Sequence, residues 1–375
     1  MSTYSPGLEG VIAGETAICT VEHGLSYRGY FVGDLAEHCS FDEVAYLLLH
    51  GELPTAAQLK TFQDRVAAAR RLPPPFRELL ATLPKWTTPL DALRTVVSGL
   101  AHFDQDVNDN THEANVRKAE RLLAQIPVAI ADHYALSRGA MPTLARQDLG
   151  HSANFLYMLR GTEPDADEVK AMDVSLILYA EHEFNASTFA ARVIVSTLAD
   201  MHAGITGAIG ALKGPLHGGA NEKVVDILLA AGGTADKAEA WIRAALSRKE
   251  RIMGFGHRVY KTGDVRAGIL KTFARNMAAK SPDAKTLVPL EDAADAIERI
   301  MAAEKNMFPN LDWPAGRLYN AMKLEIPLYT PIFAMSRIAG WAAHVIEQLD
   351  NNRLIRPRAL YKGPERRPVK PIGER

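Results

Sequence analysis

A chain of 375 residues with 47% hydrophobic side chains can bury a large core and divide into two domains. Its 43 basic and 44 acidic side chains leave a formal net charge of −1, which argues against a nucleic-acid-binding protein. Cys19 and Cys39 are the only cysteines, too few for a disulfide framework and without metal-ligand spacing, so a reducing, cytoplasmic setting is expected.

The opening M-S-T-Y-S-P-G-L-E-G lacks a cationic segment followed by an apolar run, so no signal peptide is expected. No apolar stretch reaches bilayer-spanning length, and no membrane association is predicted. Thr16 to Tyr30 alternates and carries Gly24, the one place that predicts a small β-hairpin. From Ser40 the pattern turns helical, with Ser40 and Glu43 spaced as a capping box ahead of Val44, Ala45, Leu47 and Leu48. Gly51 and Pro54 end that helix, and Thr55 opens another running to about Arg71. Thr88-Pro89 starts a helix with Leu93, Val96, Val97 and Leu100 on one face. Further helices are predicted over 113–136 with a kink at Pro127, over 152–160 and over 169–180. Shorter, more charged helices fill 222–302, and Thr330-Pro331 reads as a cap and first turn of a helix to about Leu349. The tail from Arg353 is basic and proline-rich, either solvated and disordered or an arm that docks across a partner subunit. The expected fold is all-α, with one small N-terminal β-hairpin.

Five stretches could carry chemistry. In Leu212 to Asn221 (L-K-G-P-L-H-G-G-A-N), glycines and a proline place His217 on a loop at a helix N-terminus. The helix dipole there favours a neutral imidazole that donates a hydrogen bond, although a plain interhelical turn explains the spacing equally well. Met253 to Tyr260 (M-G-F-G-H-R-V-Y) sets His257 behind two glycines, with Arg251, Arg258 and Lys261 close by. It lacks the last glycine of a dinucleotide fingerprint, and a tight surface turn is the bland reading.

In Phe308 to Gly316 (F-P-N-L-D-W-P-A-G), Asp312 has apolar neighbours. It is either a satisfied turn residue or a partly desolvated base with a raised pKa. Glu181 to Arg192 (E-H-E-F-N-A-S-T-F-A-A-R) puts His182 just outside a helix cap formed by Asn185 or Ser187. Arg337 shares an apolar stripe with Phe333, Trp341 and Val345, so it needs an anionic partner, from the protein as a structural ion pair or from a ligand. With Arg266 and Arg356 it could form a trap for a dicarboxylate.

Taken in order, E-H-E-F-N-A-S-T-F at 181–189, K-G-P-L-H-G-G-A-N at 213–221 and M-G-F-G-H-R-V-Y-K at 253–261 resemble the citrate synthase family. P-N-L-D at 309–312, F-A-M-S-R-I-A-G-W-A-A-H at 333–344 and R-P-R at 356–358 extend the resemblance over nearly the whole chain. It implies a mostly helical homodimer. Residues 1–219 and 323–375 would form a large domain, and 220–322 a small one that closes over the substrates.

The family condenses an acyl-CoA with oxaloacetate and hydrolyses the resulting thioester. By resemblance Asp312 is the base, His217 the donor to the thioester oxygen and His257 the group that polarises and protonates the oxaloacetate carbonyl. His182, Arg266, Arg337 and Arg356 match the oxaloacetate ligands, Arg356 as a donation from the partner subunit, with Arg70 a further substrate-side candidate. Arg251, Ile252, Met253, Gly254, Phe255 and Gly256 match the CoA contact on the adenine side, and Lys261 lies near the phosphates. No metal and no bound cofactor is implied; the CoA thioester is a substrate.

Two departures stand out. Val265 replaces the proline of a D-P-R motif, which predicts a looser loop around Arg266. Trp313-Pro314 follows the base where relatives differ, which puts these residues in the acyl pocket as an expectation. The leading activity is citrate synthase with acetyl-CoA, the alternative 2-methylcitrate synthase with propionyl-CoA. A non-catalytic helical scaffold is the competing reading from another class.

Overall fold

The computed structural model describes residues 4–22, 24–256, 260 and 263–375. Among the described residues, three two-residue strands, β1 (Cys19–Thr20), β2 (Ser26–Tyr27) and β3 (Tyr30–Phe31), pair antiparallel in that order, with Cys19 opposite Tyr27 and Ser26 opposite Phe31. The expected hairpin therefore gains a third strand. Arg28 and Gly29 both have positive φ, the turn geometry that matches the twist of tightly joined strands. The Tyr27 hydroxyl pins this sheet to the helical body by donating to the carbonyl oxygen of Ile177 at 3.0 Å.

The helices follow in order. α1 (Val32–His38), α2 (Phe41–His50), α3 (Ala56–Ala68), α4 (Pro75–Thr82) and α5 (Pro89–Leu100) lead into α6 (His112–Leu136). α7 (His151–Arg160), α8 (Ala166–Tyr179), α9 (Ala186–Val195) and α10 (Met201–Leu212) follow. α11 (Ala220–Ala230), α12 (Ala235–Ser247), α13 (Val265–Lys280), α14 (Ala284–Lys305) and α15 (Asp312–Ala321) precede α16 (Tyr329–Asp350). No helix among the described residues is long and apolar enough to cross a membrane.

Capping chemistry sets many of these boundaries. Ser40 and Glu43 form the reciprocal box at α2, and Thr55 with Gln58 does the same at α3. Thr88 caps α5 ahead of Pro89. α3 ends at Ala68, short of the expected Arg71. α6 runs on through Pro127. α16 starts earlier than expected, because a 3₁₀ turn at Ile326–Leu328 feeds straight into it. Thr330 is thus inside the first turn rather than a cap. Its hydroxyl reaches Gly218 O at 3.2 Å and the Glu222 carboxylate at 2.5 Å.

Nearly every side chain of α16 is buried, because α2, α6, α8, α9 and α10 pack around it. Gly340 permits a close approach to the end of α8: a Cβ there would collide with Ala180 O and the Glu181 carboxylate. This larger core also takes Leu270, Leu318 and Tyr319 from α13 and α15. A second, smaller core joins Val224, Ile242, Ile297 and Trp313 to Ile252 and Phe255.

Candidate active site

A cavity of about 780 Å³ draws its walls from both cores, with Tyr179 and Phe333 from the larger and Ile252 and Phe255 from the smaller. It gathers His182, His217, Arg251, Ile252, Met253, Gly254, Phe255, Gly256, Arg266, Asp312 and Arg337 onto one surface. His257 and Lys261 lie outside the described residues.

Asp312 is the first residue of α15, and its backbone N–H donates to Asn310 Oδ1 at 3.1 Å. Asn310 is itself tied to the glycine-rich segment, donating through its backbone to Gly254 O (2.9 Å) and through its side chain to Gly256 O (3.1 Å). Gly254 and Gly256 both have positive φ, and a Cβ on Gly254 would press on Trp313, so the close ladder requires glycine. The Asp312 carboxylate accepts from the Tyr179 hydroxyl at 2.6 Å. Burial pushes its pKa up to about 6, against the opposing pull of Tyr179, Arg266 and Arg337. A carboxylate of that basicity is a competent general base near neutral pH.

His217 sits on the loop before α11, with its backbone N–H donating to Gly214 O at 2.9 Å. Its Nε2 lies 2.8 Å from Ser187 Oγ and 3.3 Å from the Ser187 backbone N. A backbone N–H can only donate, so Nε2 is the acceptor and the ring proton sits on Nδ1. Burial, then Arg337, lower the pKa to about 4, which keeps the ring neutral at physiological pH. Ser187 is in turn held by Trp341, whose indole N–H donates to its Oγ at 3.1 Å.

The cations are arranged unequally. Arg337 donates from Nε to Tyr179 O at 2.5 Å, and its guanidinium lies 4.7 Å from the Phe333 ring centre. Its Nη1 has no hydrogen-bond partner among the described residues, and no carboxylate there comes within ion-pair distance. The structural ion pair that would explain a buried arginine is therefore missing among them. Burial lowers its pKa, with the Glu181 carboxylate opposing. Arg266 is held by Asp264 in a two-point fork, Nε at 3.0 Å and Nη2 at 2.8 Å, while Asp264 also caps α13. Val265 is 39% exposed, and the fork between Arg266 and Asp264 forms without a proline between them. His182 Nε2 lies 2.9 Å from the Tyr260 hydroxyl.

Some expected residues are elsewhere. Arg70 is buried outside the cavity lining, where its guanidinium serves the carbonyl oxygens of Arg146 (3.0 Å) and Leu149 (2.6 Å). Both bonds come from its Nη1. Arg356 lies exposed on the extended tail, away from its own chain's cavity. Trp313 is a correction too: it is fully buried in the smaller core, with its indole N–H on Glu298 at 2.9 Å, and does not line the cavity. Sequence reasoning missed Tyr179, Ser187 and Asn310. A tyrosine in I-L-Y-A reads as core, and only the fold places it against a carboxylate 133 residues away.

The described residues include no cluster of histidine, cysteine or carboxylate groups able to hold a metal ion. The assembled chemistry is a buried carboxylate of raised basicity, a neutral N–H donor and a buried cation with one nitrogen unpartnered among the described residues. Together these suit proton abstraction beside a carbonyl, with an anionic substrate held close by.

Comparison with known proteins agrees. A family profile described as "Citrate synthase, C-terminal domain" matches residues 7–358. Citrate synthase 2 of Bacillus subtilis (strain 168) is 44% identical over 378 residues, covering 100% of each chain. A 2-methylcitrate synthase of Mycobacterium tuberculosis (strain ATCC 25618 / H37Rv) is 46% identical over 364 residues, 96% of this chain and 91% of that one. The solved citrate synthase of Thermoplasma acidophilum, a ternary complex with carboxymethyl coenzyme A and oxaloacetate, superposes with a TM-score of 0.93. It is 33% identical and is covered in full by this chain, which it covers in full.

Proposed function

The chain belongs to the citrate synthase family and is a citrate synthase-type acyltransferase, and from that premise we propose that it condenses acetyl-CoA with oxaloacetate and water to give citrate and free CoA. The observation that carries the reading is the convergence of Asp312, neutral His217 and Arg337 on one cavity. Asp312 removes an α-proton from the thioester methyl group, and His217 Nδ1–H donates to the thioester oxygen as negative charge builds on it. The weak base succeeds because the enolate is stabilised as it forms.

Arg337, Arg266 and His182 take the oxaloacetate carboxylates, with Arg356 of a second copy completing the set across a homodimer. His257 protonates the oxaloacetate carbonyl oxygen as the new carbon–carbon bond forms. The 251–256 backbone and Lys261 hold CoA. Residues 220–322 form the small domain that closes on the larger one, which supplies 1–219 and 323–375. Closure suits a cavity whose walls come from two separate cores.

A second reading keeps the same residues and changes the acyl group to propionyl, giving 2-methylcitrate. It is supported by relatives of comparable identity that carry either name. One methylene alters binding in an apolar pocket by only ~1–3 kcal/mol, so both products are expected, with citrate in excess. Incubation of oxaloacetate with equimolar acetyl-CoA and propionyl-CoA, read by mass spectrometry, measures the ratio of specificity constants directly. An excess of 2-methylcitrate would transfer the assignment to propionyl-CoA. Formation of neither product would reject both.

A further inference from the structure

We propose that Tyr179 is the positioning residue of the catalytic base: its phenol holds Oδ1 of Asp312 and so reserves Oδ2 for the substrate proton. The inference rests on the reading of Asp312 as the base.

Tyr179 closes α8 and Asp312 opens α15, so the bond joins two elements that share no local sequence. At 2.6 Å between phenol oxygen and Oδ1, it is a short, charge-assisted hydrogen bond. A carboxylate at a helix start is otherwise free to rotate about its terminal torsion, which is broad and two-fold. Anchoring one oxygen removes that freedom and orients the other.

Tyr179 is itself buried, only 2% exposed, and fixed at two further points. Its ring packs at a tilt of 39° against Phe333 with centroids 4.2 Å apart, and its carbonyl oxygen accepts from Arg337 Nε at 2.5 Å. One residue therefore sets both the base, through its side chain, and an oxaloacetate-side cation, through its main chain. Burial and the neighbouring Asp312 hold the Tyr179 pKa well above that of an ordinary phenol, so it donates and does not enter the proton transfer. In the reaction, the substrate C–H bond breaks, its electron pair moves into the enolate and an O–H bond forms at Oδ2. The phenol proton stays in place throughout.

Among the described residues, the charged and titratable groups acting on the Asp312 carboxyl include Tyr179 from α8, Arg266 and Asp264 at the start of α13, Arg337 from α16 and Tyr319 from α15. Of these, Tyr179, Arg266 and Arg337 favour the ionised form.

The test is Tyr179→Phe, which keeps the ring against Phe333 and removes only the hydroxyl. The predicted result is a kcat lower by about tenfold or more, the scale of one charge-assisted hydrogen bond. The acid limb of kcat/KM should move to higher pH, because the ionised carboxylate has lost a donor. Oxaloacetate affinity, measured by calorimetry, should stay within about twofold, which also reports an intact fold. An unchanged kcat in an active protein would overturn the proposal, and so would a lower kcat with the acid limb unmoved. Carboxyl titration by carbon NMR, with Asp312→Asn to assign the signal, provides a readout independent of turnover: the Asp312 pKa must rise in the variant. A wild type that turned over neither thioester would reject the functional reading, and this positioning role with it. An active wild type with an indifferent variant would reject the positioning role alone.

Discussion

At the scale of single residues, the burial that suits Asp312 to the proposed role of base also works against the fold. Its pKa rises from an ordinary 3.8 to about 6, so the native state holds this proton more tightly than the unfolded chain does. Stability from this group is therefore full below pH 3.8 and lost as pH rises through about 6; once ionised, the carboxylate costs the fold about 3 kcal/mol. Asp312→Asn should then raise the melting temperature at pH 8 while abolishing condensation, and the two curves should converge near pH 4, checked by thermal unfolding across that range. A variant less stable than wild type at pH 8 would contradict the account. In the wild type, kcat/KM should fall below about pH 6 as the base protonates. Asp312, His217 and Arg337 were legible in the sequence because prolines, glycines or apolar neighbours made each one conspicuous. Tyr179 and Ser187 were not, since their roles exist only once α8, α9, α15 and the 213–219 loop converge.

Among the elements, the reliable signals were local ones. The capping box of α2, the Thr55 start of α3 and the Thr88-Pro89 start of α5 depend on residues a few positions apart, and the structure has them as read, with Gln58 completing a second box at α3. Thr330 misled because a 3₁₀ turn absorbs the helix start upstream and its hydroxyl serves a distant loop. Trp313 misled because a residue next to the base in sequence points, one step along a helix, into a different core. The tight crossing of α16 over residues 180 and 181 makes a further prediction. Gly340→Ala should destabilise the protein by about 2–4 kcal/mol, because the added methyl meets a backbone carbonyl and a buried carboxylate. Since the displaced residues directly precede His182, oxaloacetate affinity should fall as well. Denaturant unfolding and calorimetry would check both; an unperturbed variant would mean the crossing is more compliant than its geometry implies.

For the whole molecule, the exposed Arg356 on an extended tail is the feature a single chain leaves unexplained. If it completes the site of a second copy, two inactive variants should rescue each other. Mixing Arg356→Ala with Asp312→Asn subunits, after dissociation and reassociation, creates one site per mixed dimer that has both residues intact. Random pairing predicts recovery to about one quarter of wild-type activity. Failure of recovery in verified mixed dimers would place Arg356 outside catalysis or restrict it to its own chain.

The most direct measurement is oxaloacetate-dependent release of CoA thiol from acetyl-CoA, compared between the wild type and Asp312→Asn. The expected result is steady release by the wild type only when oxaloacetate is present, and none above background from the variant although it is folded and binds oxaloacetate. Release that survives Asp312→Asn, or a folded wild type that releases no thiol, would contradict it.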